Sequence, residues 1–158
     1  MIEITFWNFY KQNYQDNGFC LYVMKNGLGG TLYVGISKVD IWERWFGGRG
    51  HVTWDGKYIS GNSSVGEKIV DHIPDSLSWK IQLWTLNDCL EYCNEEAIKR
   101  NSHTIQDAER LMIRKLSPML NRTYNLNPGI DTTPKSEKEL KRERYVDQAY
   151  DEIFNKKK

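Results

Sequence analysis

Apolar residues recur along this chain in two rhythms, and the rhythm changes wherever turn-forming residues intervene. Phe19 to Met24 and Thr31 to Ile36 are short, nearly continuous apolar runs. Between them, Lys25-Asn26-Gly27-Leu28-Gly29-Gly30 is rich in residues that tolerate tight turns, so the pair predicts an antiparallel hairpin. Trp79-Lys80-Ile81-Gln82-Leu83 alternates apolar and polar positions, the period of a third strand with one face buried.

Other segments repeat every three or four residues, as a helix face does. Val39, Trp42, Trp45 and Phe46 follow Ser37 and Asp40, which read as a capping-box-like start, and Gly47-Gly48 ends the run. Gly66 to Ile73 reads as a helix closed by Pro74, because the residue before a proline is driven out of helical backbone. Asp88 to Arg100 and Thr104 to Leu116 read as two more, the second with Thr104 and Asp107 placed to cap its first turn. Within the first 17 residues, Phe6, Trp7, Phe9, Tyr10 and Tyr14 have the spacing of a short helix laid over the core; stacking on nucleic-acid bases is the alternative use. Asn121 to Pro134 has loop composition, and a charged helix from Ser136 carries Val146, Ala149, Tyr150 and Ile153 on one face.

These elements predict a small α/β domain with a short, mostly antiparallel sheet of about three strands flanked by helices. An aromatic N-terminal extension (1–17) precedes the main body (18–127), and a loop with a charged C-terminal helix (128–158) follows it.

Composition narrows the class. A length of 158 residues suits one core, and an apolar share of 39% with 13% aromatics excludes a disordered chain. No run approaches the roughly 20 apolar residues of a membrane span, and the first residues lack a signal-peptide pattern, so a cytoplasmic protein without membrane contact is expected. Cys20, Cys89 and Cys93 form an odd set that suggests reduced thiols. Cys89 and Cys93 could be half of a zinc site with His103 as the nearby companion, but core packing is the simpler reading. Net charge is +1; residues from 135 onward carry eight Lys or Arg against six Asp or Glu, and the preceding ones 14 against 15. A contact between the body and a polyanion therefore needs a local basic patch.

Candidate chemistry enters through one misplaced carboxylate. At about 100° per residue, Ile105, Ala108, Met112, Ile113 and Leu116 form an apolar stripe, and Glu109 falls inside it. A buried carboxylate must neutralise, pair with a base or hold a metal. The ordinary alternative is a rim residue paired to Arg110 or Arg114. Tyr22 and Tyr33 on the hairpin can equally be core or cross-strand packing, and Arg44 a solvated helix residue, when each is taken alone.

Taken together, Cys20-Leu21-Tyr22 and Tyr33-Val34-Gly35 on the hairpin, Ile41-Trp42-Glu43-Arg44-Trp45 on the next helix, and Ala108-Glu109 with Pro118 and Asn121 downstream resemble the GIY-YIG nuclease family over about residues 19 to 125. The first tripeptide departs from the pattern, with Cys20 where the family has glycine, and Ile36-Ser37 follow Gly35. The resemblance implies that Tyr22, Tyr33, Arg44 and Glu109 form a catalytic set, that Glu109 holds a divalent ion, Mg²⁺ or Mn²⁺, and that Gly35 and Asn121 serve the structure of the motif. His51, seven residues past Arg44, resembles a histidine that several members carry near the site.

Those roles make chemical sense. Phosphodiester hydrolysis needs an activated water, stabilisation of an extra negative charge and help for the leaving oxygen. Arg44 offers a permanent planar cation, Glu109 a metal ligand, and Tyr22 a proton acceptor supported by Tyr33 once neighbouring cations favour its phenolate. Lys38, Arg49 and Lys57, with His51 and Trp54, could form a phosphate-contacting loop. The implied activity is metal-dependent cleavage of double-stranded DNA by a restriction-type or phage-encoded endonuclease. A restriction-like member would act as a homodimer, for which the apolar face of the last helix is available. The rival readings are a non-catalytic nucleic-acid-binding or interaction module that keeps the fold, and a structural protein whose Tyr, Arg and Glu form a buried polar network.

Overall fold

The computed structural model describes residues 1–12, 18–93 and 104–155. The chain begins with β1 (Ile2–Thr5) and α1 (Phe6–Gln12), then forms the hairpin β2 (Leu21–Lys25) and β3 (Thr31–Ile36). Next come α2 (Ile41–Phe46), a ribbon of β4 (Val52–Trp54) and β5 (Ile59–Gly61), α3 (Ser64–Asp71) and a 3-10 turn (Asp75–Ser78). β6 (Lys80–Trp84), α4 (Leu86–Cys93), α5 (Ile105–Leu116) and α6 (Glu137–Phe154) complete it.

The fold is α/β, and its main sheet is antiparallel with strand order β1-β6-β2-β3. Four strands therefore stand where three were expected. The extra one is β1, whose Ile2-Glu3-Ile4-Thr5 alternation is overshadowed in the sequence by the helical spacing of the aromatics that follow. The helix of that N-terminal segment starts only at Phe6, and Phe6 and Phe9 are fully buried in the core. A second departure is the β4–β5 ribbon, where the sequence suggested a loop.

The hairpin register sets Tyr22 opposite Gly35 and Met24 opposite Tyr33. Asn26 organises the turn: its Oδ1 accepts the amides of Leu28 and Gly30, at 3.0 and 2.9 Å. Gly29, at φ +83°, supplies the left-handed backbone that the reversal requires. Cys20 takes an ordinary negative φ and continues the ladder, its N–H donating to Trp84 and its carbonyl accepting from Ser37. The backbone at position 20 thus does not require glycine.

Two apolar clusters cover the two sheet faces. Tyr22, Met24, Ile81 and Leu83 pack with Phe6, Phe9, Ile41, Trp45, Val65 and Ile69 from α1, α2 and α3. Leu21, Val23, Val34 and Trp84 pack with Cys89, Cys93, Ala108, Met112 and Ile113 from α4 and α5. Cys89 and Cys93 are thus core residues, with the Cys93 thiol 3.7 Å from the Met112 sulfur. His103, their suggested zinc companion, and the second half of the expected Asp88–Arg100 helix lie outside the described residues.

Local signals set the helix ends. Asp40, not Ser37, caps α2, its carboxylate accepting from Trp42 N at 2.7 Å, while the Ser37 hydroxyl bonds Val39 instead. Ser63 caps α3, so that helix begins two residues before the expected Gly66. Thr104 and Asp107 form the full capping box of α5, which ends at Ser117 in left-handed backbone.

The free edge of β3 is covered by the segment that leaves α5. Met119 N donates to Thr31 O and Leu120 N to Leu32 O. The Asn121 amide then takes the place of a strand residue, its Oδ1 accepting from Val34 N at 2.9 Å and its Nδ2 donating to Val34 O at 2.8 Å. Beyond this, Ser136 caps α6, and Lys68 ties it to the body through Asp131 and Glu139, at 2.8 and 2.9 Å. Arg142 pairs with Asp71. Most of the rest of α6 is solvent-exposed, including Val146, Tyr150 and Ile153, with Ala149 partly buried. Among the described residues no helix is long and apolar enough to cross a membrane.

Candidate active site

Tyr22, Tyr33 and His51 meet where β2 and β3 face α2 and the loop that enters β4. Tyr22 is 1% exposed, yet its phenol oxygen lies 2.6 Å from His51 Nε2. Gly35 makes room for this ring: a Cβ there would stand 2.4 Å from the Tyr22 Cζ and hydroxyl. Glycine is needed at this position because the tyrosine lies across the neighbouring strand, and no unusual φ is involved. Tyr33 stacks beside Tyr22 with ring centroids 6.2 Å apart, and both rings meet His51 edge-on at 5.8 Å.

His51 itself is 3% exposed and held on several sides. Its Nδ1 lies 2.6 Å from the Ser63 hydroxyl, its carbonyl accepts from Asn62 N at 2.8 Å, and Trp45 packs at 4.6 Å between centroids. Gly66 lets the first turn of α3 press on that carbonyl, since a Cβ at Gly66 would lie 2.0 Å from it. Trp45 fills the floor, 5.4 Å from Tyr22, and its indole N–H has no hydrogen-bond partner among the described residues.

Charges complete the cluster. Burial raises the Tyr22 pKa well above the ordinary tyrosine value; Tyr33 and Glu109 raise it further, while the Arg44 guanidinium opposes them through its charge and a side-chain hydrogen bond. Burial also raises Tyr33, with Glu109 adding to the rise and Arg44 countering it. Burial, reinforced by Arg44, lowers His51 to about 4, so its imidazole is neutral at physiological pH. Glu109, half-buried on α5, has a raised pKa because burial penalises its charge, an effect that Arg110 partly offsets. Glu109 stands on α5, which packs on β3, and its charge acts on the phenols of Tyr22 and Tyr33.

The donor set bears on metal binding. Glu109 is a partly desolvated carboxylate, and among the described residues there is no group of three His, Cys, Asp or Glu able to enclose an ion. One carboxylate suits a hydrated Mg²⁺ or Mn²⁺ completed by water and phosphate oxygens, and does not suit a dehydrated structural site.

Lys38, Arg49 and Lys57 are exposed, and Lys57 sits in the turn between β4 and β5 that Asp55 organises by accepting the amides of Lys57 and Tyr58. Trp54 does not face outward in a loop; it stacks on Tyr10 at 4.4 Å, and Trp7 and Trp42 extend the same aromatic layer. Asn121 lies at the sheet margin as a structural clamp. Ser63 and Trp45 were missed as site residues. A cap signal exists at Ser63, but nothing in the spacing pairs it with a histidine 12 positions away.

No protein-family model, no curated protein sequence and no solved structure matches this chain.

Proposed function

We propose that the chain is a metal-dependent endonuclease of the GIY-YIG type that hydrolyses phosphodiester bonds in double-stranded DNA. The observation that carries this reading is the buried Tyr22–His51 hydrogen bond of 2.6 Å, formed where the charges of Arg44 and Glu109 act on the same phenol. Each group has a task. Tyr22 accepts a proton from the attacking water, and neutral His51 is available to take the proton that Tyr22 gives up. Arg44 stabilises phenolate character in Tyr22 and offers its fork to the phosphate as negative charge grows. Tyr33 walls the site on its outer side. Glu109 would hold Mg²⁺ or Mn²⁺, which when bound neutralises charge on the phosphate and the leaving oxygen.

A restriction-type or phage-encoded enzyme is the kind of member we favour, with a second copy of the chain as partner where the recognition sequence is symmetric. Lys38, Arg49 and Lys57 are the candidate phosphate contacts, and the cytoplasm the expected compartment.

The test is incubation with supercoiled plasmid in Mg²⁺ or Mn²⁺. Wild type nicks or linearises the DNA, EDTA stops it, and Tyr22→Phe and Glu109→Gln each cut on the order of a hundredfold more slowly. Equal cutting by Glu109→Gln would overturn the assignment, and a gel shift without cutting by wild type would favour the non-catalytic binding module.

A further inference from the structure

We infer that Ser63 is a positioning residue that fixes the tautomer of His51, with the proton on Nδ1, and so directs the Tyr22 hydroxyl to donate to Nε2. The argument is a count of donors and acceptors around three atoms. A neutral imidazole carries one N–H and one lone pair, and here its two nitrogens face the Ser63 and Tyr22 hydroxyls, each at 2.6 Å.

Two proton arrangements satisfy those distances. In the first, Ser63 donates to Nδ1 and Nε2–H donates to the phenol oxygen. His51 is the hydrogen-bond partner that the phenol oxygen has among the described residues, so the hydrogen of the buried Tyr22 hydroxyl is then left without an acceptor there. In the second, Tyr22 donates to Nε2, while Nδ1–H donates to Ser63. The Ser63 oxygen then accepts twice, from Nδ1 and from the Gly66 amide that it caps at 3.1 Å, and its own hydrogen points from a half-buried side chain toward water. Only this second arrangement leaves each buried donor of the Tyr22–His51 pair with a partner. The short helix α3 thus sets the protonation pattern of a histidine on another element, because the oxygen that caps it has one lone pair to spare.

The catalytic consequence rests on the nuclease reading, but the tautomer does not. With Nε2 free of hydrogen, the phenol proton passes to His51 as Tyr22 takes a proton from water. The water oxygen then bonds to phosphorus, and the bond to the leaving oxygen breaks. That oxygen departs with the electron pair and is protonated from solvent. The imidazolium that results keeps both N–H groups bonded, to Tyr22 and to Ser63. The negative phosphodiester in the site counters the Arg44 charge that otherwise disfavours this cation. With the opposite tautomer Nε2 has no lone pair, and Tyr22 has nowhere to send its proton.

Long-range ¹H–¹⁵N correlation of the histidines in the full chain at pH 7, without metal, reads the tautomer directly. Wild type is expected to show His51 protonated on Nδ1, Ser63→Ala to gain the Nε2–H form that unconstrained histidine prefers, and Ser63→Thr, which retains both the hydroxyl and the helix cap, to restore the wild-type pattern. In the plasmid assay Ser63→Ala should cut at least tenfold more slowly at unchanged DNA affinity, with Ser63→Thr rescuing the rate. Nε2–H in wild type, or an unaltered tautomer in Ser63→Ala, would overturn the inference. The expected tautomers in a wild type that never cuts DNA would instead remove the nuclease reading and leave the role of Ser63 standing.

Discussion

His51 is buried as a neutral base, and that gives the stability of the fold a definite dependence on pH. Its folded pKa is about 4, against 6.5 for the free side chain, so between those values the unfolded chain binds a proton that the folded one refuses. The stabilising contribution is complete above pH 6.5 and is lost as the pH falls toward 4. Chemical denaturation across that window should show wild type losing roughly 3 kcal/mol more than His51→Gln; equal slopes would contradict it. Glu109 works in the opposite sense. Its raised pKa means that the folded state prefers the protonated carboxyl, so its contribution is present at low pH and lost as the group ionises. Glu109→Gln should therefore raise Tm at pH 7 while removing any Mg²⁺-dependent rise in Tm, a combination expected where a carboxylate is kept for a ligand rather than for the fold.

Among the elements, β3 is the one most dependent on a single distant side chain. Its outer edge is closed by the Asn121 amide, which satisfies both the N–H and the C=O of buried Val34. Asn121→Ala orphans that pair and should cost about 2–4 kcal/mol in urea denaturation, with faster amide exchange along Thr31–Ile36 and little change in β1. A loss below about 0.5 kcal/mol would mean that water replaces the clamp. The same strand shows how elements differ in legibility. The hairpin and α5 could be read from sequence because turn residues and the Thr104–Asp107 box are local signals. The strand β1 could not, since four residues of alternation become a strand only when β6 supplies the other side of the ladder. The cap of α2 was displaced from Ser37 to Asp40 for a similar reason: both residues can cap, and the path from β3 decides which one reaches the helix.

At the scale of the whole molecule, α6 is attached through its first turns and is exposed beyond them. Lys68 bridges Asp131 and Glu139, Arg142 meets Asp71, and Lys135 pairs with Glu143. His72 lies beneath, with Nδ1 2.7 Å from Lys68 O and Nε2 3.0 Å from Pro134 O. Of these, Lys68 is the most enclosed cation, and its removal leaves two carboxylates facing each other without a counter-charge. Lys68→Ala should speed amide exchange through Glu137–Phe154 at least tenfold while exchange in the main sheet stays as in wild type. Simultaneous loss of protection in β2 and β6 would show that α6 docking and the core fold as one unit.

By itself the sequence determined the α/β class, the hairpin, the stripe of α5 with Glu109 inside it, and the positions at which tyrosine, arginine and glutamate stand. Those features follow from periodicity and turn chemistry, which act over a few residues. Tertiary structure alone decided that the Tyr22 hydroxyl meets His51 across 29 positions, that Gly35 yields space to the Tyr22 ring, and that Ser63 stands behind the imidazole. Such contacts depend on how strands register and how α2 and α3 pack against them. No repeat in the chain encodes that, because side chains far apart in sequence meet only after burial has fixed the path between them.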